Sequence, residues 1–330
     1  MKTSEENLIE EIIKAGEEFL KETETTTRYL SWQHCYALFN EYLEYKKSGE
    51  KYKNEVLQIL KQDDNLIRDY LTLNLAFYLA SWGMYRGSTF LIDRDYKVHR
   101  SITDYILDNY NILKEIDSGN IDKFDEVVYG LKKIYAEEKI NDKIDKNNKE
   151  QKEIVKKISD TLISKVLLGT MGIIPAYDRY FIETLTKINK IRKENGKERI
   201  VQKLNSNSIR ELVELYQERF KDNNEFKELC VKSKYPIMKV LDMCFWKYGY
   251  NMSNDIILIG KDEELKETIE ETVKEIKKTI RVICVNKNYQ KIDAIPGVIK
   301  LRLENGKIYN WETQIEIKDY IKEIKEKLKK

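Results

Sequence analysis

The chain has 330 residues, 41% hydrophobic and 35% charged, with a formal net charge of +2. That apolar share can build a core and excludes global disorder. The near-neutral balance excludes a surface coated in positive charge, the global footprint of nucleic-acid binding, and leaves room only for a local patch.

The first 250 residues read as helix after helix. Thr3-x-x-Glu6 is a capping box ahead of Leu8, Ile9, Ile12, Ile13, Phe19 and Leu20, which recur at helical spacing. A polar knot, Glu22 to Arg28, separates this helix from a second over about Tyr29–Lys47, which Ser48-Gly49 ends. A third helix precedes Asp63-Asp64-Asn65. The most apolar run, Leu66–Trp82, reads as a buried helix, too short and too polar for a membrane span. Ser101-x-x-Asp104 opens a helix carrying Ile102 to Ile116, and Ser118-Gly119 stops it. Residues 139–152 are a charged loop or solvated helix end. Ile154 to Leu167 form the next apolar stripe. Ser208-x-x-Glu211 caps a helix bearing Ile209 to Phe220, and Ile237–Tyr248 is the last core helix. The scarcity of chain breakers, 3 prolines and 13 glycines, supports this mainly α reading and opposes a sandwich or barrel.

Composition changes after Tyr250. The expected organisation is an all-helical body over 1–255, a charged connector helix over 256–278 and a small β-β-β-α module over 279–330. The module's signals are Thr279–Val285, then Val298–Leu303 and Lys307–Trp311 flanking Asn305-Gly306, then a basic amphipathic helix.

Ser164 to Phe181, SKVLLGTMGIIPAYDRYF, is the most informative segment. An apolar helix ends in a glycine loop, and Pro175 suits the first position of a new helix. Asp178 then falls in that helix's first turn, where free N–H groups and the macrodipole favour an ionised carboxylate. The expectation is that Asp178 faces a pocket walled by Leu168, Ile173, Ile174, Tyr177 and Phe181. An ordinary helix-start aspartate is the bland alternative.

This pattern of apolar helix, glycine–proline loop and aliphatic-x-Asp resembles the helix-hairpin-helix DNA glycosylase superfamily over roughly Ile154 to Phe181. The resemblance implies an irregular multi-helix bundle and a catalytic role for Asp178. It also implies removal of a damaged or modified base from DNA, and a defence role against phage with modified DNA. The family's Leu-Pro-Gly hairpin has no counterpart, since residues 150–168 contain no glycine or proline. No lysine occupies the position near Asp160 where bifunctional members carry their nucleophile. The resemblance therefore implies a monofunctional enzyme that leaves abasic sites. The chemistry suits one carboxylate, which stabilises the cationic sugar or activates water. The base must first leave the stack and enter a pocket of aromatic faces and polar groups.

Three further clusters supply candidate residues. Glu22 to His34 offers Glu22 as a second acid/base, Trp32 as a stacking surface and His34 near it, or else a threonine-rich helix cap. Trp82-Gly83-Met84-Tyr85-Arg86-Gly87 offers Trp82, Tyr85 and Arg86 to a nucleotide, with Arg86 meeting a phosphate or Asp178, or else a tight helix crossing. Tyr177 and Arg179 complete the binding set. Asp242 interrupts an apolar helix and suits an orienting role toward Arg86 or Arg179, while Trp246 reads as core.

Four cysteines without a C-x-x-C pair and only two histidines, His34 and His99, make a metal centre or disulfide scaffold unexpected. No P-loop, dinucleotide fingerprint or zincin motif occurs, and no cofactor is expected. The N-terminus lacks a signal peptide's basic start, so the expected location is cytoplasmic. DNA, met through a patch of Arg86, Arg179 and tail lysines, is the expected partner. The alternative is a non-catalytic helical module that binds nucleic acid or protein.

Overall fold

The computed structural model describes residues 3–23, 29–87, 89–117, 120–140, 155, 157–259, 279–285, 298–304 and 307–310. The chain divides into two compact units, Met1–Tyr248 and Gly249–Lys330.

The first unit is mainly helical. Its helices are α1 (Ser4–Glu22), α2 (Leu30–Ser48), α3 (Glu55–Leu60), α4 (Asp64–Ser81), α5 (Arg100–Asp108), α6 (Tyr110–Asp117), α7 (Phe124–Ile140), α8 (Asp160–Thr170), α9 (Arg179–Glu194), α10 (Ser206–Arg219), α11 (Asn224–Ser233) and α12 (Ile237–Met252), which runs past the division. A short 3-10 turn, Tyr96–His99, leads into α5. Local chemistry sets the ends. Thr3 and Glu6 close the capping box on α1, through bonds of 2.7 and 3.2 Å. Gly49, at φ +72°, ends α2 in the left-handed region that glycine reaches without strain.

Three boundaries differ from the sequence reading. The helix expected over Ile102–Ile116 is two, because Asn109 folds its side-chain amide and backbone N–H onto the Tyr105 carbonyl. Asp104 opens no helix there; its carboxylate accepts from Arg68 and Arg100. Asn205, not Ser208, caps α10, and Ser208 is the reciprocal partner one turn in. The Leu66–Trp82 run is buried on one side only. Leu71, Leu75 and Leu79 are enclosed, while Leu66, Leu73 and Phe77 are about half exposed or more. An apolar run winds around the whole helix, and only one face meets neighbours.

The centre is the packing of α2, α4 and α8. Gly169 of α8 lies against the ring of buried Tyr78 on α4, and a Cβ there would overlap that ring. Gly169→Ala should therefore lower stability by about 1–3 kcal/mol, despite alanine's better helix propensity. Urea midpoints at equal slope measure this, and an unchanged midpoint would refute the tight crossing. α12 supplies much of the remaining core through Val240, Met243, Cys244 and Phe245.

In the second unit β1 (Ser253–Ile259) pairs in parallel with both β2 (Thr279–Val285) and β3 (Val298–Glu304). β4 (Lys307–Asn310) runs antiparallel to β3, giving the order β2-β1-β3-β4. The pairing of Glu304 with Lys307 leaves a two-residue connection, Asn305-Gly306, the composition such hairpins favour. The helical reading of 253–259 is corrected. Ile256-Ile257-Leu258-Ile259 is a continuous apolar run rich in β-branched isoleucine, the pattern of a strand with a neighbour on each side. The rest of the expected connector helix, 260–278, and the closing helix over about 313–329 lie outside the described residues, as do 24–28 and 141–152.

Candidate active site

The segment between α8 and α9 is a pinned loop. Gly172, at φ +67°, turns the chain out of α8, and a Cβ there would press on Pro236 at 2.8 Å. The loop's backbone is then held by side chains from two helices. The Tyr177 N–H donates to Ser164 Oγ and the Ala176 N–H to Asp242 Oδ1, each at 2.8 Å. The Tyr177 carbonyl accepts from Thr161 at 2.8 Å. Pro175 therefore starts no helix. α9 begins at Arg179, with Asp178 as its N-cap, accepting from the Phe181 N–H at 3.2 Å.

Asp178 is 8% exposed, and its second oxygen lies 3.6 Å from Lys165 Nζ. Lys165, also buried, donates to the Trp82 carbonyl at 3.0 Å. Beside this pair, Lys239 donates to Asp242 at 2.8 Å, and both are buried. Two cations and two carboxylates thus share one interior site. Burial pushes the Asp178 carboxyl above its ordinary range; Lys165 opposes that shift and Asp242 adds to it. Burial pushes the Lys165 ammonium down, against the pull of Asp178 and Asp242. Each shift favours the neutral form, as desolvation requires.

An aromatic cluster adjoins the charges. Trp246 makes edge contacts with Phe19, Tyr29, Trp82 and Tyr180. Tyr29, Trp82 and Tyr180 are each half-buried. Lys239 Nζ lies 5.0–5.6 Å from the ring centres of Trp32, Phe19 and Trp82, within cation–π range.

The residues expected at the site are distributed unevenly. Trp82 is there, half-buried. Tyr177 is a core residue whose hydroxyl donates to Ser208 at 3.0 Å. Trp32 offers no stacking surface. It is 2% exposed, its indole N–H donates to the Leu168 carbonyl at 2.9 Å, and its ring stacks on Tyr36. His34, two positions on and so about 200° around α2, is exposed. Glu22 closes α1 and accepts from buried Lys247. Tyr85 is turned to His99, its hydroxyl 2.7 Å from the ring. Arg86 is exposed and folds over Gly83, so the cation that meets Asp178 is Lys165 instead. Arg179 is exposed and paired with Glu183 at 2.8 Å. Asp242 orients Lys239 and the loop backbone in place of either arginine.

Lys165, Lys239 and Lys247 were not among the expected residues. Their signal was present, as lysines on helices otherwise apolar at those turns. Two surface cavities lie elsewhere, and neither is lined by Asp178. The first, of about 520 Å³, is lined by Tyr42, Lys46, Arg68, Tyr110 and neighbours. The second, of about 630 Å³, is lined by Thr186, Lys190, Arg199 and neighbours. Among the described residues no cluster of three or more His, Cys, Asp or Glu side chains could hold a metal ion. Nor is any described helix long and apolar enough to cross a membrane. Compared with protein-family models, with curated proteins and with solved structures, the chain matches none.

Proposed function

We propose that the helical unit is a monofunctional DNA N-glycosylase with Asp178 as its catalytic carboxylate. The supporting observation is the link made by Lys165, whose ammonium touches both the Asp178 carboxylate and the backbone of Trp82. A desolvated carboxylate therefore lies one side chain away from an aromatic cluster in which Tyr29, Trp82 and Tyr180 are half-buried. An extruded base stacks on such rings. Entry requires movement of the turn after α4, where Gly83 and Gly87 stand at φ +77° and +71°. In the reaction the C1′–N bond breaks and its electron pair leaves with the base. Asp178 offsets the charge on the sugar, and water supplies oxygen to C1′ and a proton to the base. The resemblance adds the extension that the base is modified and the role is defence against phage DNA.

Asp178→Asn keeps the cap but removes the charge, and should slow base release by about 10²-fold or more. The assay is alkali-dependent strand scission of duplexes carrying modified bases, with folding checked by circular dichroism. Full activity of the variant would end the proposal. A borohydride-trapped adduct would assign a nucleophile, with Lys165 the nearest amine, and overturn the hydrolytic reading.

A non-catalytic binding module is the second reading. The observation favouring it is that Asp178 already serves as a helix cap and ion-pair partner.

A further inference from the structure

Both cavities are lined by cations, but among the described residues only in the second is every one of them without an ion pair; in the first that holds for Lys47 and Lys114 alone. In the first, Arg68 is already held by Asp64, Asp104 and Asp108, and Lys46 by Asp64. In the second, Lys190, Lys193 and Arg199 face one lining carboxylate, Glu194, and all are exposed. Among the described residues none of these three cations makes an ion pair. The segment 187–203 that carries them holds seven basic and two acidic residues, a net +5 where the whole chain has +2.

The groove is also built. Asn189, 7% exposed, exchanges two 2.8 Å hydrogen bonds with the Ile200 backbone, tying α9 to the segment that follows it. Gln202 donates to Thr186 at 2.7 Å across the same groove. The lysines of one wall and the arginine of the other are thus held at a set separation. Paired cations would be structural; unpaired ones on a rigid polar groove attract an anion that the protein does not itself supply.

We infer that this groove binds the phosphodiester backbone of DNA, away from the reacting nucleotide. The inference rests on the proposed function in taking DNA as the polyanion. α9 connects the two places, with Asp178 as its cap and Lys190 and Lys193 on its later turns. Twelve residues at about 1.5 Å each separate Asp178 from Lys190 by about 18 Å along the axis. On one strand that is about five nucleotides. The backbone contact is therefore far enough from the carboxylate to anchor flanking DNA without touching the extruded base.

The test uses the full chain and a fluorescent 20-base-pair duplex of arbitrary sequence, followed by anisotropy from about 50 to about 200 mM salt. The triple variant Lys190→Gln/Lys193→Gln/Arg199→Gln should weaken binding about tenfold or more at the lower salt, with a log–log salt slope shallower by about 3. The variant Lys46→Gln/Lys47→Gln/Lys114→Gln, in the first cavity, should lose clearly less than the Lys190 series, since Lys46 is already paired with Asp64. Unchanged affinity and slope in the Lys190 series would overturn the inference, as would failure of the wild type to bind. Equal loss in both series would reduce the groove to general surface charge and also overturn it. Vesicles of anionic phospholipid and inorganic phosphate serve as competitors. Displacement of the duplex by phosphate alone, at low millimolar concentration, would assign the groove to a small anion and overturn the backbone reading. Asp178→Asn separates the two proposals. If base release is absent in wild type and variant while the groove variants lose binding, the catalytic reading fails and the groove stands.

Discussion

Lys165→Met should destabilise the helical unit by about 3–5 kcal/mol at neutral pH, because it leaves the Asp178 carboxylate buried without its cation. Methionine fills the lysine's apolar volume, so the loss reports charge and hydrogen bonding more than packing. Two further measurements separate the causes. First, the loss should shrink as the pH falls. Asp178 already titrates above the ordinary carboxylate range, and without the ammonium it moves higher still. A carboxyl whose folded value is raised contributes most at low pH and loses that contribution as pH rises through the folded value. Second, Lys165→Met/Asp178→Asn should recover much of the loss. The amide still caps α9 through the Phe181 N–H and no buried charge remains. The Trp82 carbonyl would still lack its donor, so recovery should be incomplete. Urea midpoints for the two variants decide the matter. A double variant no more stable than the single one would show that charge pairing is not what holds this site.

Acid should unfold the wild type partly through His99. This ring is fully enclosed, with Tyr85 and Tyr135 hydroxyls each 2.7 Å from one of its nitrogens. A neutral imidazole satisfies that arrangement by donating from one nitrogen and accepting at the other. Burial pushes the titration of His99 down to about 3 from its ordinary 6.5. Between those two values the unfolded chain binds a proton that the folded one does not, so stability falls as pH drops through this window. From pH 6.5 to pH 4 the loss should be about 3 kcal/mol, at 1.36 kcal/mol per unit. Above pH 6.5 this group contributes no slope. His99→Gln should be less stable at pH 7, since the hydroxyls lose a well-fitted partner, yet show a flatter profile between pH 6.5 and 4. Parallel pH profiles for the two proteins would rule out His99 as an acid sensor.

The mainly α character was legible in the sequence because it rests on short-range chemistry. Helical spacing of Leu8, Ile12, Phe19 and their counterparts, the Thr3–Glu6 box and the stop at Gly49 are all set within a few residues. The position of Asp178 at a helix start followed from the glycine–proline break in the same way, although the helix begins four residues after Pro175. The strand at Ser253–Ile259 was missed because a short apolar run fits a buried helix as well as a strand. Only its two parallel neighbours decide between them.

What the tertiary structure alone decided is which charged group meets which. Spacing along a helix says which residues share a face, not which other helix lies against it. Arg86 and Asp178 were natural partners on sequence grounds, yet the cation beside the carboxylate is Lys165, delivered by α8, and Asp242 answers Lys239 from one turn away. Trp32 could not be told from a stacking residue until Leu168 and Tyr36 closed over it. The unpaired state of Lys190, Lys193 and Arg199 is equally invisible in the chain. A basic run shows its charge locally, but whether carboxylates reach it depends on contacts formed by residues distant in sequence.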